Sequence, residues 1–110
     1  MVYVGISEVH LIFRQSRSLK DKRQILSSLI QKLRNEGFSA CETEMADDPK
    51  QGVVGFSYSG KDLKYVEEKQ LSTRDIFLGD FQVGRFRHEL VNFGLGDDPM
   101  ELSWEEEEFK

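Results

Sequence analysis

Five cations, Arg14, Arg17, Lys20, Lys22 and Arg23, crowd residues 14–23, just before and within the first turns of an expected helix. Backbone dipoles already make that end of a helix positive, so cations placed there cost stability rather than adding it. The chemistry such a set offers is anion binding, because guanidinium and ammonium groups beside exposed helix N–H groups suit a phosphate or a nucleic-acid backbone. Lys22 projects inside the apolar stripe of the helix, one turn before Leu26. Two readings of it stand side by side: a stem packed on the core edge with its ammonium reaching water, or a member of the anion site.

The other reactive residue types form no set. Cys41 is the only cysteine, which leaves no internal disulfide and no cysteine-based zinc site. His10 and His88 are far apart and neither neighbours Cys41, and Ser16, Ser18, Ser27 and Ser28 have no motif that would activate them. Glu42, Glu44, Asp47 and Asp48 offer oxygen ligands, but their spacing matches no known cation-binding loop. Residues 52–58, GVVGFSY, echo the aromatic strand with which RNA-recognition motifs stack bases. Phe56 and Tyr58 nevertheless share the side of Val54, the side that should meet helices, so they are expected in the core. The expectation is a non-enzymatic protein with no cofactor and no metal.

Charge is distributed unevenly. The chain of 110 residues has net charge −5, which argues against a general nucleic-acid binder. Residues 1–40 hold seven Lys/Arg against three Asp/Glu, while residues 41–110 hold eight against seventeen. The first helix is therefore the basic end, and residues 105–110 form an acidic tail. A chain of this length buries roughly 60–70% of its unfolded surface, enough for one core and one domain over residues 1–110. The apolar opening carries Glu8 and no basic leader, so it reads as a strand rather than a signal peptide. With no membrane span and a single cysteine, a cytoplasmic setting is expected.

The elements that must position the cluster follow from periodicity. Residues 2–13 predict strand one, with apolar positions Val2, Val4 and Ile6, then Val9, Leu11 and Phe13. The phase slips near Ser7 and Glu8, which means either a bulge or a strand contacted on both faces. Ser18 is a good helix N-cap with Asp21 three residues on. Leu19, Ile25, Leu26, Leu29, Ile30 and Leu33 fill one helical stripe, stopped by Gly37. Residues 38–43 and 53–59 predict strands two and three around a turn punctuated by Asp47, Asp48 and Pro49. Residues 61–76 predict a short helix after Asp62. Phe81, Val83, Phe86, Leu90, Val91 and Phe93 predict a second amphipathic helix, ended by Gly94 and Gly96. Met100, Leu102 and Trp104 alternate with acidic and polar residues as a last strand. The expected fold is α+β: a ferredoxin-like β-α-β-β-α-β plait with a four-stranded antiparallel sheet, two helices on one face and an enlarged connection after strand three, residues 60–80 being an insertion.

That order of elements, Val4-Gly5-Ile6 in strand one, Ser18-Leu19-Lys20-Asp21-Lys22-Arg23 opening the helix, Leu29-Ile30, Leu33-Arg34 and Gly55 resemble the YlxP-like family of small bacterial proteins. The match covers residues 1–60 well and the last strand only in kind. The resemblance implies a ferredoxin-like fold, a cytoplasmic setting and, through genes that lie among those for translation initiation and ribosome maturation, an RNA-related role. The family's acidic turn with a Trp-Gln-Arg run corresponds here to Ala46-Asp47-Asp48-Pro49-Lys50-Gln51, in which only the acidic character survives.

Two functional expectations follow. One is an accessory factor that contacts RNA or a ribosome-associated partner through Arg14, Arg17, Lys20, Lys22 and Arg23. The other is a protein-interaction or homo-oligomerising module that pairs basic and acidic surfaces or exposed strand edges.

Overall fold

In the computed structural model, residues 1–95 and 101–106 are described. The elements run β1 (Val2–Ile12), α1 (Leu19–Asn35), β2 (Ser39–Glu44), β3 (Gln51–Gly60), α2 (Leu63–Ser72), a 3-10 turn (Thr73–Phe77), β4 (Gln82–Phe93) and β5 (Glu101–Glu105). Gly96, Met100 and residues 107–110 of the acidic tail lie outside the described residues. Among the described residues no helix is long and apolar enough to cross a membrane.

The sheet has five strands in the order β2-β3-β1-β4-β5, every neighbouring pair antiparallel. This corrects the expected four-stranded ferredoxin-like plait, although the α+β class stands. The error lies in residues 82–93, expected to be helical and found as β4. Its buried positions are Val83, Phe86, His88, Leu90 and Asn92, an alternation by two that is interrupted once. The interruption is a bulge: His10 pairs with Arg85 and Leu11 with Val83, leaving Gly84 as the extra residue. Gly84 is needed there because the His10 Nδ1 lies 2.6 Å from where its Cβ would stand. The bulge spaces Val83 and Phe86 by three, and Phe86 and Leu90 fall four apart, so the strand imitates a helix. Polar residues at two inward positions, His88 and Asn92, hid the remaining alternation.

The second helix is instead α2, which starts at Asp62, whose carboxylate accepts from Lys64 N and Tyr65 N. Only Lys61 and Asp62 separate it from β3, so the connection after strand three is short rather than enlarged. Residues 61–77 hold the helix and the 3-10 turn that follows it.

α1 forms as its sequence dictates, with the Ser18 hydroxyl capping Asp21 N and Gly37 closing the helix at φ +93°. Its buried face, Lys22, Leu26, Leu29 and Leu33, lies on one side of the sheet. The core there joins Val9, Leu11 and Phe13 of β1 and its following turn, Val54 and Phe56 of β3, Phe77, Val83 and Phe86. Phe56 is its aromatic centre, 5.4–6.1 Å from the rings of Phe38, Phe77 and Phe86. Phe56 therefore packs in the core rather than stacking bases on an open surface.

β1 alternates without a slip. Gly5, Ser7, Val9 and Leu11 turn to the helices, while Val2, Val4, Ile6, Glu8, His10 and Ile12 turn to the other face. Of the two explanations for its apolar pattern, a bulge at Ser7–Glu8 is absent, and apolar residues occupy both faces. The glycine of β1 has a specific reason: a Cβ on Gly5 would fall inside van der Waals contact of the buried Gln70 amide, which α2 lays across the sheet. Gly5→Ala is expected to destabilise the fold by about 1–3 kcal/mol through overpacking, read as a lower midpoint in urea unfolding with the slope unchanged.

Candidate functional site

Lys22 is the organising residue at the basic end. Its side chain is wholly buried, and its ammonium donates to Met45 O at 2.7 Å, Gln51 O at 2.9 Å and Ala46 O at 3.2 Å. An ammonium has three protons, and three carbonyls take all of them. The Glu42 carboxylate supplies the countercharge at 3.2 Å. Lys22 thus faces inward and clamps α1 to both sides of the β2–β3 turn. The same turn holds Met45 at φ 63°, a left-handed conformation that costs a non-glycine residue about 1–2 kcal/mol. The Met45 carbonyl accepts from both the Lys22 ammonium and Asp48 N, which holds it in that conformation.

The other four cations face outward. Arg14, Arg17, Lys20 and Arg23 are exposed, and among the described residues no carboxylate lies within ion-pair distance of their side chains. Lys20 and Arg23 flank one shallow groove on α1 with Gln24 and Ser27. Arg14 borders a different depression, shared with Gln15, Asp80 and Phe81. Arg17 stands at the helix entrance, where its backbone N–H donates to the Asp21 carboxylate at 3.1 Å. Ser18 and Asp21 thereby satisfy two backbone donors of this end by themselves.

Lys50 belongs with this group and was missed in the sequence. Its ammonium donates to Arg14 O at 3.0 Å, which brings a further cation from the β2–β3 turn onto the β1–α1 turn. The sequence showed Lys50 only as part of an acidic turn. The side-by-side placement of two turns that sets its position is a tertiary fact.

A second constellation was also out of reach of the sequence. Under α2, the Gln70 amide N–H groups face Glu89 O at 3.1 Å and Ser7 Oγ at 3.3 Å. Ser7 Oγ lies 2.8 Å from His88 Nδ1, and His88 Nε2 lies 3.3 Å from Glu106 Oε1. The roles are assigned from the carboxylate end: Glu106 can only accept, so Nε2 of a neutral His88 carries the proton and Nδ1 accepts from the Ser7 hydroxyl, whose oxygen accepts from Gln70. Arg74 approaches the other oxygen of Glu106 at 3.8 Å. The order of groups, hydroxyl to imidazole to carboxylate, is that of a serine nucleophile with its base. Ser7 and His88 are, however, only 3% and 1% exposed, and the His88 ring is enclosed by Phe86 and Trp104. The arrangement fastens β1, α2, β4 and the end of β5 rather than presenting a nucleophile to solvent.

Two expectations can be measured on these groups. Lys22→Met removes the countercharge of Glu42 and three carbonyl bonds, with an expected loss of about 3–5 kcal/mol, whereas exposed Lys20→Met stays within about 0.5 kcal/mol; chemical denaturation compares them. Burial holds the His88 pKa below its ordinary 6.5, with Glu106 opposing the shift. Below pH 6.5 the unfolded chain takes up this proton more readily than the folded one, so stability falls as pH drops through that window. His88→Gln is expected to remove this part of the slope in a pH series of thermal unfolding.

No curated protein matches the chain. Residues 4–83 match the family described as protein of unknown function (DUF503), a stretch that runs from β1 to the start of β4 and includes the whole basic end. The chain belongs to that family.

Proposed function

We propose that this protein is a non-enzymatic accessory factor of the cytoplasm that contacts RNA or a ribonucleoprotein through the basic end of α1. Arg14, Arg17, Lys20 and Arg23 make the contact, Lys50 adds to it, and buried Lys22 holds the surface in shape from behind. One observation carries the reading. The chain has 20 acidic residues and net charge −5, yet among the described residues none of the acids pairs with these four side chains. By contrast, Arg74, Arg85 and Arg87 each stand within 4 Å of Glu105 or Glu106. Unpaired cations at an already positive helix end do nothing for folding, and phosphates are the ligands that repay them. Resemblance of residues 18–23 to the YlxP-like proteins supports an RNA-related setting for the same segment.

The test is RNA binding followed by fluorescence anisotropy across a salt series. The intact protein is expected to bind a single-stranded RNA at 50 mM salt. The triple reversal Arg17→Glu, Lys20→Glu, Arg23→Glu is expected to weaken it at least tenfold. It should also flatten the slope of log K against log salt by about 2, at about 0.7 for each phosphate that the protein no longer neutralises. No binding at low salt, or binding untouched by the reversal, ends this reading.

A further inference from the structure

The outward surface of α1 differs from the rest of the chain. Every exposed residue of this helix is polar, and between Asp21 and Glu36 there is no acid, in a chain that has 20 of them. At about 100° per residue, Lys20, Gln24, Ser27 and Gln31 run down the centre of the outward side, opposite buried Lys22, Leu26, Leu29 and Leu33. Arg34 borders that line near the far end, exposed, with one N–H donated to Ala40 O at 2.9 Å. Among the described residues no carboxylate stands within ion-pair distance of Arg34 either. The cations therefore occupy both ends of the stripe, about 20 Å from Lys20 to Arg34. Uncharged amide and hydroxyl groups lie between them.

This order of groups is that of one nucleic-acid surface. An A-form RNA duplex has a wide, shallow minor groove, bordered by phosphates and displaying 2′-hydroxyls and base edges between them. A 2′-hydroxyl both donates and accepts, as amide and hydroxyl side chains do. Gln31 gives one N–H to Asn35 Oδ1 at 2.9 Å and keeps its carbonyl oxygen for such a contact. Two other forms of nucleic acid fit less well. Single strands are held by stacking bases on aromatic rings, and the stripe carries none. Phe81, beside Arg14, is partly buried against Phe13, and Tyr65 leans on Tyr58 beyond the far end of α1. The major groove of B-form DNA is about 8.5 Å deep and takes in a helix. α1 lies flat on the sheet with Ile25 and Ile30 also packed against the core, so only its outward stripe is free to touch a ligand.

We propose that the outward stripe of α1 is a docking surface for the minor groove of an A-form RNA duplex. The proposal rests on the RNA contact at the basic end and names the form of RNA that makes it. Arg17, Lys20 and Arg23 hold one phosphate backbone and Arg34 reaches the other. Gln24, Ser27 and Gln31 lie on the 2′-hydroxyls between them.

Fluorescence anisotropy at equal salt compares three labelled ligands: a blunt RNA duplex of about 16 base pairs, the DNA duplex of the same sequence, and one RNA strand alone. The RNA duplex is expected to bind at least tenfold more tightly than either of the others. The triple change Gln24→Ala, Ser27→Ala, Gln31→Ala removes the middle contacts without altering charge, and alanine is the residue that helices accept best. It is expected to bring the RNA duplex down to the affinity of the DNA duplex, with the salt slope unchanged. Reversal of Arg17, Lys20 and Arg23 to Glu instead weakens all three ligands. A single strand or a DNA duplex bound as tightly as the RNA duplex overturns the assignment and leaves the basic contact standing. So does a preference for the RNA duplex that survives the alanine change. Failure of all three ligands to bind overturns both readings.

Discussion

The burial of one ammonium group is the constraint on which the basic end depends. Removing Lys22 from water is costly, and the cost is met only because every proton has a carbonyl and the charge has Glu42. Those four partners come from β2, from the start of β3 and from the turn between them, so the ammonium cannot be satisfied until the turn takes its observed path. The left-handed Met45 is part of that path. One side chain thus converts a flexible acidic turn into a fixed wall against which α1 starts.

Fixing that wall also sorts the cations. With Lys22 pointed inward on the sheet side, the positions around it on the helical circuit, Lys20 and Arg23, must point outward. Arg14 and Arg17 precede the helix, where the chain turns over from β1. Lys50 reaches them because the β2–β3 turn is clamped in place. The local acids of this end, Asp21 and Asp48, are occupied with backbone N–H groups of Arg17 and Lys50. They complete the turns and leave the outward side chains without a carboxylate.

How far the sequence disclosed this depended on the range of each interaction. α1, its cap at Ser18 and its stop at Gly37 were legible because each rests on residues within one or two turns. β3 was legible from alternation, β1 as a strand although its phase read as slipping at Ser7 and Glu8, β2 only as a short run before the acidic turn, and Asp62 announced α2. β4 was not, because a bulge at Gly84 and inward-facing His88 and Asn92 destroyed its period-two signature. The apolar stripe correctly placed Lys22 on the inner face, but its partners lie 20–29 residues away and no local pattern names them. The chain from Ser7 through His88 to Glu106 spans nearly the whole sequence, and its register is set only when β1 and β4 pair.

The apparent slip in β1 has a further consequence. A strand whose inward residues begin Gly5, Ser7, Val9 gives its first half over to a close approach and a polar chain: Gly5 admits Gln70, and Ser7 carries the bond to His88. The apolar residues of that half, Val2, Val4 and Ile6, are left for the opposite face. A one-sided sheet would gain nothing from placing them there, since exposing apolar area on an already formed sheet costs about 25 cal/mol per Å² relative to covering it. The bend in the hydrophobic pattern is therefore a property of two surfaces. One is the interior, where a polar seam replaces apolar packing under α2. The other is the outer face, where Val2, Val4 and Ile6 stand beside Phe93, Val91 and Glu89 of β4.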